Sequence, residues 1–369
     1  MRRKRIAIAC QGGGSQCAFI AGTLRTFFEQ GIHRRYRIVG LSGTSGGALT
    51  AALAWGGLLR QASGEPIAIG DRIIAFWKDL SAQTPEEVLL DGFLVELVRL
   101  VERGLLPSFA TSPSSMGFRL GSQVAGPLVA RQEFTDLRAA LLKHIDFDAL
   151  PSADSDESPV LLVGAADVLQ GTFKIFSSAR GEIKLEALLA SAAIPNLFPA
   201  VWVDGHAYWD GIFSSNPPVF GFLQGALMGR HLLPDEIWII QVNRSEHESV
   251  PETPSEIFDR RNHLSGNLSL GHELRFIEMV NLLLREKALT DEFRSRFGIE
   301  TMEPIAVRFV RMSPELQRGL DYPSKLSRQP AHIDALIADG DAQAARFVAD
   351  LEGSDSRGEP RVEAAASMH

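Results

Sequence analysis

The chain has only two cysteines in 369 residues, Cys10 and Cys17. Two thiols build no disulfide scaffold, and neither belongs to a Cys-x-x-Cys pair, so reduced thiols in a cytoplasmic protein are expected. Positive charge is not in excess. The net charge is −8, and a nucleic-acid binder would carry a basic face, so that class is set aside. Long apolar runs are missing too. None approaches the roughly 18 residues that cross a bilayer. The N-terminal "MRRKRIAIAC" is basic and then apolar. Its "IAIA" falls short of the roughly 7–15 apolar residues of a secretory signal, so it reads as a basic lead-in to a buried strand. No lysine lies between residues 5 and 77. That excludes a Gly-Lys-Ser/Thr phosphate loop from the glycine-rich stretches found there.

What is present is an ordinary globular composition, long enough to bury a large core without staples. "RIAIAC" (5–10) reads as a strand, and "CAFIAGTLRTFFEQG" as a helix stopped at Gly31. "YRIVGLSG" is a second strand and "GGALTAALAWGGLL" a second helix. Strand and helix in alternation imply a parallel sheet covered by helices. Residues 71–145 read as mostly helical. There Leu90, Phe93, Leu94, Leu97, Val101 and Leu105 lie on or near one face, which packs on the core or forms a lid or lipid-facing element. "VLLVGAADV" and "TFKIFSS" form a hairpin around Gln170-Gly171, and "KLEALLASAAIP" is a helix stopped by Pro195. "PAVWVDGHAYWDG" is two short strands joined at Asp204-Gly205, and "DEIWIIQVN" is a central strand. Beyond these lie a long helix over 272–298, a strand "IAVRFVRM" and one or two helices in 331–353.

The chemistry-bearing candidates sit at the breaks. Ser45 stands in Gly43-Thr44-Ser45-Gly46-Gly47, a Gly-x-Ser-x-Gly pattern between a strand and a helix. Flanking glycines suit a nucleophile elbow, and the helix N-terminus favours developing negative charge. The same letters also suit a plain glycine loop. "QGGGSQ" offers Gly12, Gly13 and Gly14, whose bare backbone N–H groups suit a phosphate or an oxyanion. A dinucleotide fingerprint fails, because its third glycine is Cys17 and the second strand ends in Gly43-Thr44-Ser45, not an acid. A Ser–His–Asp triad is possible with nine histidines. However, Ser45 follows only two strands, earlier than the elbow of an α/β-hydrolase. His206 reads as a strand residue, and His263, His272 and His332 as solvated helix residues. Asp210 in "AYWDGIFSSNPP" is either an Asp-Gly turn or a carboxylate carried by a strand end to the serine, with Gly211 allowing close approach.

Taken in order, "QGGGSQCAF", "GTSGG" and "YWDG" resemble the patatin-like phospholipases, and "ASAAIPNLFPAVWVDGHAYWDGIFSSNPP" adds to the likeness. The resemblance covers roughly residues 4–245. It implies a three-layer α/β/α fold with a mostly parallel central sheet. The corresponding division is an acyl-hydrolase domain over 1–250 with a helical insertion at about 71–145, a mainly helical extension over 251–350 and a disordered tail over 351–369. It implies a Ser–Asp dyad in which Ser45 attacks an ester carbonyl and Asp210 takes its proton. Gly12, Gly13 and Gly14 would line the oxyanion hole, supported by Gly43, Gly46, Gly47 and Gly211 around the two motifs. The expected substrate is a glycerolipid or phospholipid ester, met by a cytoplasmic protein with peripheral contact at the inner membrane surface. No cofactor, metal or nucleic acid is implied. The chain leaves the family pattern at Gln16 and Cys17, where a basic residue and a glycine are usual, and at Asp-Gly-Ile. A catalytically silent relative that binds lipid or a protein partner is the second reading.

Overall fold

The computed structural model describes residues 3–107, 131–151, 158–195, 197–229, 233–296, 299 and 302–355. Eight strands form one sheet: β1 (Arg5–Cys10), β2 (Arg37–Thr44), β3 (Val160–Asp167), β4 (Thr172–Ser177), β5 (Val201–Val203), β6 (His206–Asp210), β7 (Glu236–Gln241) and β8 (Ala306–Arg311). β3, β2, β1, β7 and β8 run parallel in that spatial order. β4, β5 and β6 are antiparallel additions. The expected α/β architecture with a mostly parallel central sheet is what forms.

β3 is shared unusually. β4 pairs along one edge. Along the other, β2 pairs as far as Thr44↔Gly164, and β6 takes over at Ala165↔Asp210, running the opposite way. The carboxyl ends of β2 and β6 therefore meet head to head. The β5–β6 hairpin turns on Asp204 (φ 48) and Gly205 (φ 85), the left-handed pair of a type I′ turn that Asp-Gly implies.

Side-chain alternation splits the core into two layers. Ile6, Ile8 and Cys10 of β1, with Trp238 and Ile240 of β7, face one helical layer. That layer holds α1 (Ala18–Glu29), α2 (Gly46–Ala62), α3 (Ile69–Leu80), α5 (Leu137–His144), α6 (Leu185–Ser191) and α8 (Pro330–Asp355). Ala7, Ala9, Ile237 and Ile239 face α7 (Pro254–Arg285) on the other side. The region expected as an extension, 251–350, is thus built into the sheet and both layers. α1 and α8 cross with backbones nearly touching. A Cβ on Gly22 would lie 2.0 Å from the Ile337 carbonyl oxygen.

Several expected elements shift. The long helix begins at Pro254, well before 272, started by a Thr253–Glu256 capping box, and ends at Arg285. Residues 331–353 fall in the single helix α8, which continues through Asp355. The rest of the expected tail, 356–369, lies outside the described residues, as does 108–130 of the insertion.

The helix α4 (Pro85–Glu102) corrects its expected core face. Phe93 is 65% and Leu105, just beyond its end, 68% exposed, while Glu87, Asp91, Val98 and Glu102 are buried. Partners across the fold hold Glu87 and Asp91 inward. Arg131 sits 3.3 Å from Glu87, and Asp91 accepts from the Arg328 backbone N–H (3.0 Å) and from Gln329 Nε2 (2.9 Å). Among the described residues no helix is long and apolar enough to cross a membrane.

Candidate active site

The carboxyl ends of β1, β2 and β7 open side by side, where open α/β sheets usually take ligands. Ser45 follows β2 with φ 55 and ψ −135, a strained conformation for a residue with a side chain, and caps α2. Its neighbours over-determine it. The Ser45 N–H donates to Ser191 Oγ (3.0 Å), which donates on to the Gly164 carbonyl (2.7 Å). The Ser45 carbonyl accepts from Ala48 and Leu49 in the first turn of α2.

The motif glycines are there because backbones touch. A Cβ on Gly47 would stand 2.4 Å from the Cys10 carbonyl oxygen, and one on Gly46 2.6 Å from that of Gly14. Gly43 packs on Ala48, and Gly211 on Gly164, each leaving 2.6 Å for such an atom.

Asp210 arrives from the opposite direction on β6 and is fully buried. Its N–H donates to Ala193 O at 2.9 Å. One carboxyl oxygen, Oδ1, accepts from the Ile212 N–H at 2.9 Å, and Oδ2 has no hydrogen-bond partner of good geometry. Burial pushes its pKa up to about 7, with the nearby Ser45 hydroxyl and the Ile212 N–H pulling the other way. The Ser45 hydroxyl therefore lies close to the carboxyl without forming a well-aligned hydrogen bond.

The triple glycine adjoins Ser45. A Cβ on Gly12 would be 3.0 Å from Ser45 Cβ. The Gly12 N–H is already given to Asn216 Oδ1 at 2.6 Å, and its carbonyl accepts from Asn243 Nδ2 at 2.8 Å. The Gly13 N–H faces the Cys17 sulfur. Gly14, at φ +60, begins a 3-10 turn pressed against the Lys325 carbonyl. Gln11 anchors the loop from below. Its Oε1 accepts from Val242 N (3.0 Å) and Asn243 N (2.8 Å), and its Nε2 donates to Asn267 Oδ1 (2.9 Å).

The sequence reading missed this amide cage of Gln11, Asn216, Asn243 and Asn267. A signal existed for two of its members. Asn243 lies just past a parallel strand's carboxyl end, and Asn216 precedes the Pro-Pro that follows Asp-Gly. Gln16 and Cys17 are both buried. Gln16 Nε2 donates to Ser324 Oγ at 3.0 Å, so it ties the loop to the C-terminal region.

The histidines take other roles. His206 binds Asp167 at 2.9 Å at the hairpin. His263 is buried, not solvated as expected, and burial beside Lys325 lowers its pKa to about 3. His332 is half-buried, again against expectation, and His272 is exposed. Among the described residues none hydrogen-bonds to Ser45 or Asp210.

Residues 8–223 match the family model for patatin-like phospholipase. No curated protein matches the chain. Among solved structures it is similar to VipD from Legionella pneumophila, at 12% identity and a TM-score of 0.38, over 95% of this chain and 67% of that one. It is also similar to full-length ExoU, in complex with full-length SpcU from the type III secretion system of Pseudomonas aeruginosa. There the identity is 20% and the TM-score 0.26, over 74% of this chain and 52% of that one, so the match spans about half of ExoU.

Proposed function

The chain belongs to the patatin-like phospholipase family, and from that premise we propose that it hydrolyses carboxylic esters of glycerolipids through Ser45 and Asp210. The observation that carries the reading is the head-to-head meeting of β2 and β6 on β3. Thr44, the residue before the strained serine, lies opposite Gly164, and the buried Asp210 lies opposite the next residue, Ala165.

In this reading Asp210 Oδ2 takes the Ser45 proton as Oγ bonds to the ester carbonyl carbon. The C=O electron pair moves onto oxygen, where N–H groups of the Gly12–Gly14 loop receive it. Collapse of the tetrahedral species breaks the C–O bond, and the proton passes from Asp210 to the departing alkoxide. Water, deprotonated by Asp210, then attacks the acyl-enzyme and returns Ser45 and a free fatty acid. A base with a pKa of about 7 is well matched to such transfers near neutrality. One oxyanion donor is typically worth about 3 kcal/mol. Contact with lipid is peripheral in this reading.

The test is hydrolysis of medium-chain p-nitrophenyl esters and of phospholipid vesicles, paired with fluorophosphonate labelling. Wild type should turn over and carry the adduct on Ser45, and Ser45→Ala should do neither. Equal rates for both proteins would sink the assignment. A folded wild type without adduct or turnover would point to the silent lipid- or partner-binding relative.

A further inference from the structure

A buried cation stands against the glycine loop. Lys325, in the turn before α8, is 4% exposed. Its Nζ donates to Asn243 Oδ1 at 2.6 Å and to Asn262 Oδ1. Both partners are neutral amides, and no carboxylate forms a salt bridge with it among the described residues. An ammonium held without a counter-ion costs the fold stability, so its retention calls for a reason. The turn that carries it is fastened to the glycine loop. Ser15 Oγ donates to the Ser324 carbonyl (3.0 Å), and a Cβ on Gly14 would lie 2.2 Å from the Lys325 carbonyl oxygen.

Lysine donates and never accepts, so Asn243 must turn Oδ1 toward it and Nδ2 away. That Nδ2 donates to the Gly12 carbonyl at 2.8 Å. The Gly12 carbonyl and the Gly13 N–H are the two ends of one peptide group. Hydrogen bonds in series polarise one another, more so where water is excluded. We propose that Lys325 is a positioning residue for the oxyanion loop: its charge, relayed through Asn243, polarises the Gly12–Gly13 peptide and strengthens the Gly13 N–H as a donor to the substrate oxyanion. The proposal rests on reading Ser45 as the nucleophile. Gly12 cannot share the task, because its own N–H is held by Asn216. Gly13 can, because the sulfur it faces is a weak acceptor that an oxyanion readily replaces. The C-terminal region thus supplies a cation to the glycine loop.

The test uses the full chain and p-nitrophenyl esters, with melting curves to establish folding. Lys325→Met should lower kcat by about 10- to 100-fold, less than the loss of a whole oxyanion donor because the donor is weakened and not removed, and leave KM within about twofold. A double-mutant cycle with Asn243→Ala should be strongly non-additive, since both changes cut one relay. The pH profile gives an independent readout. Burial lowers the Lys325 pKa to about 8, opposed by Cys17 and Asp259. Wild-type kcat should therefore fall as pH rises through about 8, and Lys325→Met should lack that fall. Of the groups facing Lys325, burial pushes Cys17 and Asp259 up, and His263 is held at about 3. If Lys325→Met fails to fold, Asn243→Ala carries the test through the same kcat loss and missing alkaline limb. An active wild type whose folded variants keep kcat and the alkaline limb overturns the proposal. A wild type without turnover or Ser45 adduct overturns the functional reading itself, and the proposal with it.

Discussion

The two glycine turns of the site are held by opposite means. The serine turn, Gly43–Gly47, is held by contact. Its glycines let β2, α2 and the end of β1 approach backbone to backbone, and outside the sheet its long-range hydrogen bonds run from the Ser45 N–H to Ser191 and from Thr44 Oγ1 to the Ser215 carbonyl. The loop Gln11–Gly14 is held by reach. Asn216 and Asn243 come from beyond the serine turn to grip the Gly12 N–H and carbonyl, Asn267 takes the Gln11 side chain, and Lys325 holds Asn243. The first turn is a steric object and the second a polar one. Breaking the first should damage the fold, whereas loosening the second should damage catalysis first.

The largest effect should come where the two meet. Asp210→Asn keeps the shape and removes the proposed base, so kcat should fall about 1,000-fold, within the range of general-base contributions. Wild-type kcat/KM should rise with pH through about 7 as Asp210 ionises. Stability should move the other way. The carboxyl pKa is raised on folding from 3.8 to about 7, so its contribution is full below 3.8 and lost as pH rises through about 7. Asp210→Asn should therefore gain stability over wild type across that window, read by urea titration at several pH values.

Next comes the steric turn. Gly47→Ala puts a methyl 2.4 Å from the Cys10 carbonyl oxygen. A loss of about 3 kcal/mol or more in urea unfolding is expected, as for severe overpacking. Asn216→Ala should be milder for the fold, about 1–3 kcal/mol for unsatisfied buried partners. It should cost proportionally more in kcat, because it frees the Gly12 N–H to move. Equal losses of stability in these two variants would erase the distinction between the turns. The smallest effect should be at α4, apart from both. Thr84→Ala removes its capping box at about 1 kcal/mol and should leave kcat unchanged.

The difference between the turns also accounts for what could be read in the chain. Gly43, Gly46 and Gly47 announce close backbone contact whatever the partner, so the serine turn was legible. The amide cage was not, because an asparagine signals nothing until its partners are known. Periodicity groups residues by face but does not say which face is buried. In α4 it grouped Leu90, Phe93 and Leu97, yet Arg131 and Arg328 drew Glu87 and Asp91 inward. The early start of α7 was hidden in "HLSGNLSLGH", whose glycines weaken a helix signal. Gly266 is there because α7 passes close to the cage. A Cβ on it would lie 3.0 Å from Asn243 Nδ2.

The sequence by itself determined the alternation of strands and helices, the places where glycine lets the backbone turn, and the residue types set at those turns. These are local matters of sterics and periodicity, decided within a dozen residues. Only the tertiary structure decided which groups share a dry space. It brought Asp210 along β3 to Ser45, raised its pKa by burial, and set Lys325 behind the glycine loop. Proton affinity and donor strength depend on dielectric and partners, and both are made by contacts between residues far apart in the chain.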